Sequence, residues 1–100
     1  MKLMTKAVEA VMPAIMSTDD ISLEEKKVVV KFFTPDSNWT WYVFEGDKQA
    51  NGDWEFFGMV HGMYKEMGSF MLSELEELRG PLGLKVERDL NIKGMVYGNG

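Results

Sequence analysis

Apolar residues recur along this chain with two different periods, and the switch between them predicts the order of its elements. Val8, Val11, Met12 and Ile15 fall at helical spacing behind Thr5, a side chain suited to capping, so a short amphipathic helix is predicted that Pro13 ends near Met12. Ser17 to Asp20 form a polar connector. Ser22 and Glu25 have capping-box spacing, but Val28, Val29 and Val30 follow at once and limit any helix there to one turn. From Lys27 to Thr34 the residues are largely β-branched or aromatic and predict a strand, closed by a turn at Pro35 to Asn38. Trp39 to Glu45 and Trp54 to Val60 are the next two strands. Asn51-Gly52 is a hairpin signal between them, while Gly46-Asp47 competes with it and leaves the end of the second strand open. Gly62 to Lys65 is a further turn and Met67 to Leu72 a fourth strand.

Ser73 and Glu76 have the form of a capping box and open a second helix, with Leu72, Leu75 and Leu78 facing inward. Glu74, Glu76 and Glu77 lie on its solvent side. Arg79 suits its C-terminal dipole, and Gly80-Pro81 stops it. Residues 82–90 form an ordered segment whose type stays open, and the glycines from Lys93 onward predict a loose tail over 93–100. Short links between successive strands favour antiparallel pairing, since a parallel pair needs a crossover of about a dozen residues or more. The predicted fold class is therefore α+β, a single domain over 1–100. It comprises an antiparallel sheet of about four strands in a meander, an N-terminal helix, and a helix after the last strand.

Nine of the twelve aromatic residues lie between Phe32 and Phe57, so the sheet's two faces must both be apolar. Strand alternation puts Trp39, Trp41 and Val43 opposite Tyr42 and Phe44, and Trp54, Phe56 and Gly58 opposite Phe57 and Met59. Two helices can cover one face. The other is covered by loops and the C-terminal segment, or it offers an aromatic patch to a partner. Trp41, Phe44, Phe56, Phe70, Leu75 and Leu78 are the predicted core. Met59, Met63, Met67 and Met71 recur every four residues, but Gly58, Gly62 and Gly68 interrupt them, which favours adaptable filler around a hairpin over a helix.

Composition narrows the chemistry. The chain has 45% apolar and 27% charged residues, the balance of a folded globular domain. It has no cysteine, which excludes disulfides, thiolate metal sites and cysteine nucleophiles. A net charge of −5 disfavours nucleic-acid binding, and the cluster Lys26, Lys27 and Lys31 follows two glutamates and reads as a solvated strand edge. No apolar run approaches the ~18–20 residues that span a bilayer, and the N-terminus lacks a signal peptide's apolar stretch, so a cytoplasmic location is expected with no membrane contact.

His61 is the only histidine, which leaves a histidine metal site without a second ligand; no metal and no cofactor are expected. With Glu66 nearby in sequence it is a candidate general base. No nucleophile elbow, calcium loop or phosphate loop is present. Two groups remain as candidate sites. Asp36 and Trp39 with Glu74, Glu76 and Glu77 would combine an aromatic anchor with acids, as a protein-binding surface does. Glu66, Arg79, Glu87, Arg88 and Asp89 would supply a polar cleft, with a structural ion pair as the alternative role of the 87–89 triplet.

Particular stretches carry a resemblance: VKFFTPD at 30–36, WTWY at 39–42, GDWEFFGMVHG at 52–62, EMGSF at 66–70, SEL at 73–75, RGPLGL at 79–84 and ERD at 87–89. Together they resemble a small bacterial domain of unknown function carried on plasmids, conjugative elements and phages. The resemblance covers most of the chain and implies a mobile-element accessory protein, with no cofactor and no reaction. The favoured expectation is a protein-binding role, such as inhibition of a host defence complex of the CRISPR-effector or restriction-nuclease kind. A small enzyme or ligand-binding domain and a structural subunit of a plasmid replication or transfer assembly are the alternatives. Oligomeric state stays open.

Overall fold

The computed structural model describes residues 1–99. Helix α1 (Lys6–Val11) begins where Thr5 accepts a hydrogen bond from the Val8 N–H at 3.2 Å, and it ends at Met12 ahead of Pro13. Strands β1 (Val30–Phe33), β2 (Thr40–Lys48), β3 (Trp54–His61) and β4 (Lys65–Met71) form the antiparallel meander. Helix α2 (Leu72–Glu77) follows directly, and β5 (Glu87–Arg88) returns to pair with the free edge of β1. The sheet has five strands in the order β4-β3-β2-β1-β5, one more than predicted. The extra strand is two residues long, below the length at which alternation is visible in sequence.

The open end of the second strand is settled, and two other expectations change. Strand β2 continues through Gly46-Asp47 to Lys48, and the hairpin turns over Gln49–Asp53, where the Gly52 N–H donates to the Gln49 carbonyl at 2.9 Å and Gly52 has φ +89°. The N-cap of α2 is Met71, whose N–H donates to the Glu74 carboxylate at 3.0 Å; Ser73 instead donates its hydroxyl to Asp53 at 2.6 Å. Beyond Lys93 the chain is a strap and not a loose tail. The Val28 N–H donates to the Met95 carbonyl at 3.0 Å, the Tyr97 N–H donates to the Lys26 carbonyl at 2.9 Å, and Tyr97–Asn99 form a single helical turn. Residue 100 of the predicted tail lies outside the described residues.

Both sheet faces are packed. The first carries Val30, Phe32, Trp41, Val43 and Phe56, covered by Leu3 and Met4 at the N-terminus, by Leu72 and Leu75 of α2, and by Val86. Phe56 is fully buried among Phe32, Trp54 and Phe70, with ring centroids 5.8–6.3 Å apart. The second face carries Val28, Tyr42, Phe44 and Met59, covered by Leu23 and by Ile92, Met95 and Tyr97 of the strap. Of the predicted core, Trp41, Phe44, Phe56, Phe70 and Leu75 are buried and Leu78 is half-buried.

A β-bulge links the two faces. Val43 pairs with Gly58 and Glu45 with Phe57, so Phe44 is an extra residue. The bulge sends Phe44 and Glu45 to the same face in succession. Glu45 is consequently buried, at 1% exposure, and its carboxylate pins the connector after α1. It accepts from the Met16 N–H at 2.8 Å, from the Thr18 N–H at 3.1 Å and from the Thr18 hydroxyl. The buried Lys26 ammonium lies 4.0 Å away and donates to the Thr18 carbonyl at 2.6 Å and hydroxyl at 2.8 Å. Burial acts to raise the Glu45 pKa, but the Thr18 and Met16 donors and the Lys26 charge outweigh it and leave the group below its ordinary value.

Candidate functional site

The β1–β2 turn begins the site. Thr34 is buried, its hydroxyl accepts from the Trp39 N–H at 3.1 Å and shares a 2.6 Å hydrogen bond with Ser37, and its own N–H donates to the Trp39 carbonyl at 3.0 Å. These bonds close the Pro35–Asn38 turn and fix the backbone of Trp39. Trp39 and Trp41 alternate onto one face, where their rings stack with centroids 6.1 Å apart at 28°. The Trp39 ring also lies flat over Gly62 of the neighbouring turn, where a Cβ would come within 2.5 Å of it. Trp39 is nonetheless 41% exposed. The result is a rigid, half-open indole.

The turn after α2 forms the opposite wall. One Asp36 carboxylate oxygen accepts from the Leu82 N–H at 2.7 Å and from the Leu84 N–H at 3.4 Å, which clamps residues 80–84 against the β1–β2 turn. The other, Oδ1, is buried without a hydrogen-bond partner against Gly80, where a Cβ would come within 1.6 Å of it. Only glycine permits this approach. Arg79 donates to the carbonyls of Glu76 and Leu78 at 2.9 Å each, which caps the C-terminus of α2 and holds its guanidinium at the rim.

Between these walls lies an open cleft of about 620 Å³. Trp39, Trp41 and Phe70 supply its aromatic surface, Leu75 and Leu78 its helical side, and Glu74 and Arg79 its charges. The structure thus brings together Trp39, Glu74 and Arg79 from the sequence candidates, with Asp36 as the bracket behind them. Glu76 and Glu77 are exposed on the same short helix. Thr34, Leu78 and Pro81 also line the cleft and do not stand out in the sequence as site residues; the glycines at 62 and 80, which the structure packs against Trp39 and Asp36, were the only local signals near them.

The remaining candidates do not converge. Glu66 lies on β4 and Glu87, Arg88 and Asp89 lie at β5, the two opposite edges of the sheet. Arg88 donates to the Lys2 and Leu3 carbonyls, and Asp89 pairs with Lys31 at 3.6 Å, so these groups bind the chain to itself. His61 sits on the second face, its Nε2 2.6 Å from the Tyr97 hydroxyl and its ring 4.7 Å from that of Tyr42. Burial, with the nearby Lys65 and Lys31 charges, holds the His61 pKa below its ordinary value, and burial raises that of Tyr97. Among the described residues no three histidine, aspartate or glutamate side chains cluster as metal ligands do, and no helix is long and apolar enough to cross a membrane.

Fold and cleft together define an α+β domain built on one five-stranded antiparallel sheet, with an aromatic cleft at one end. The chain belongs to the family described as Protein of unknown function (DUF2958), whose model matches residues 3–97. That span runs from Leu3 in the first core to Tyr97 in the second. No curated protein and no solved structure matches the chain.

Proposed function

We propose that this protein is a non-enzymatic binding module that seats a segment of a partner protein in the Trp39–Arg79 cleft. The observation that carries the proposal is the state of Trp39, which is 41% exposed and yet held by a ring stack, a glycine seat and its backbone bonds. An indole already fixed loses little entropy on binding, and exposed tryptophan offers a large area to desolvate. Glu74 inside the cleft, Glu76 and Glu77 beside it and the net charge of −5 favour a segment that carries a basic residue next to an apolar one.

Catalysis has less support. The Thr34 and Ser37 hydroxyls are bonded to each other, and the chain's single imidazole is on the other face of the sheet. Taken with the resemblance to domains of plasmids, conjugative elements and phages, the reading extends to a mobile-element accessory protein that occludes a host protein. A defence complex of the CRISPR-effector or restriction-nuclease kind is the target class this implies.

Peptides selected from a random display library on the wild-type protein test the reading. Apolar-basic sequences should emerge, and Trp39→Ala should speed their dissociation. Charge reversal at Glu74, Glu76 and Glu77 should instead slow association in a salt-dependent way. Wild-type kinetics in both folded variants would sink the proposal.

A further inference from the structure

A second cavity, of about 400 Å³, opens on the opposite side of the sheet from the tryptophan cleft, well within the size range of small-molecule sites. Three stretches of chain enclose it: the connector after α1, residues 26–29 ahead of β1, and the strap at 92–94. Its wall is apolar, formed by Val11, Ile21, Val28, Phe44 and Ile92.

The charged residues that line it are all of one sign. Lys26, Lys27 and Lys93 line the cavity and no carboxylate does, although the chain has 16 acidic residues against 11 basic ones. Lys26 is already committed to Thr18 and Glu45. Lys27 and Lys93 are exposed, and no ion pair engages either among the described residues. The buried Glu45 behind Lys26 offsets its charge, so the inner end of the cavity offers an anion nothing while the mouth offers two free ammonium groups.

We infer that this cavity binds a single-chain apolar anion, typified by a medium-chain carboxylate. Its hydrocarbon lies against Val28, Phe44 and Ile92, and its carboxylate sits at the mouth with Lys27 and Lys93. Apolar contact sets affinity, and the two lysines set orientation and select for charge.

Decanoate, titrated below its micelle-forming concentration into methyl-labelled full-length protein, is the test. The Ile21, Ile92 and Val28 methyl resonances should shift saturably. Octanoate should bind about fifteenfold more weakly, as the loss of two buried methylenes dictates. Decanol, with the same chain and no charge, should bind at least about tenfold more weakly than decanoate. Lys27→Glu with Lys93→Glu, both at exposed positions, should erase that preference and leave decanol unchanged. Val11→Trp, at a position 65% exposed, should fill the mouth and abolish binding without disturbing the core.

Absence of saturable shifts, or equal affinity for decanol and decanoate in the wild type, would overturn the inference. So would decanoate shifts confined to the methyl groups of Leu75 and Leu78 in the tryptophan cleft. Shifts caused by an acidic, leucine-bearing peptide but not by decanoate would overturn it in favour of a protein partner.

Discussion

Replacing Glu45 probes how the bulge and the connector hold each other. Glu45→Ala removes the acceptor for the Met16 and Thr18 N–H groups and for the Thr18 hydroxyl, and it leaves the Lys26 ammonium buried without its counter-charge. Charge-assisted hydrogen bonds contribute about 1.5–3 kcal/mol each, but here they share one carboxylate and do not add. Stranding a buried charge costs about 3–5 kcal/mol, and that figure sets the expected loss at neutral pH. Against a total stability of about 5–15 kcal/mol, this is enough to bring the domain near unfolding. Urea denaturation followed by tryptophan fluorescence measures it.

Two controls separate the charge from the cavity. Lys26→Met with Glu45→Leu should recover more than half of the loss, because the apolar pair leaves no buried charge unpaired and the exposed Met16 and half-buried Thr18 can turn their freed donors to water. The acid limb supplies the other. The folded-state pKa of Glu45 lies below its usual 4.5, so its contribution is complete above that value and is lost as pH falls through the folded pKa. The stability difference between wild type and Glu45→Gln should therefore be flat from neutral pH to about 5 and shrink below 4.5. A loss under about 1 kcal/mol for Glu45→Ala, or a difference that grows on acidification, would refute the reasoning.

His61 should impose a separate pH dependence. Its folded pKa is below 6.5, so the unfolded chain takes up the proton first, and wild-type stability should fall as pH drops beneath that value; His61→Phe should flatten this limb in denaturation at fixed pH steps. Phe56→Ala should cost about 3–5 kcal/mol, since the ring is fully buried among three others; an unchanged urea midpoint would contradict the core assignment. Gly62→Val should push the Trp39 ring from its seat, costing about 1–3 kcal/mol and increasing acrylamide quenching of tryptophan emission. Unchanged quenching would mean that Gly62 does not hold the indole.

Strand positions were legible because β-branched and aromatic residues crowd into alternating runs, and the antiparallel order followed from short links such as Pro35–Asn38 and Gly62–Tyr64. What escaped the pattern was non-local. Strand β5 exists because Glu87 and Arg88 find the free edge of β1, a pairing that no window of sequence contains. The strap at 93–99 looked loose because its glycines are conspicuous, whereas Met95 and Tyr97 are held by partners near residues 26–28 and 42–44. The bulge at Phe44 broke alternation one residue before Glu45, so the burial of that carboxylate was invisible to any period-two reading.

The candidate site was half legible. Trp39, Glu74 and Arg79 were readable as exposed anchor and charges, and the structure brings them to one cleft. In sequence Asp36 looks like a surface acid, but its carboxylate is the bracket between two turns 46 residues apart along the chain. The polar group of Glu66 with residues 87–89 failed because neighbours in composition lie on opposite sheet edges.

The central claim is that Trp39 is the contact point of a protein-binding cleft, and the chain's three tryptophans, at 39, 41 and 54, make it directly measurable. Indole N–H resonances of the labelled wild-type protein, followed while a display-selected peptide is titrated to saturation, give one reporter for each. The Trp39 indole should shift most, with Leu78 and Arg79 amides moving alongside it, while Trp54, buried at the far end of β3, stays in place. Tight peptide binding that leaves the Trp39 indole unmoved and shifts the amides of β5 instead would contradict the account.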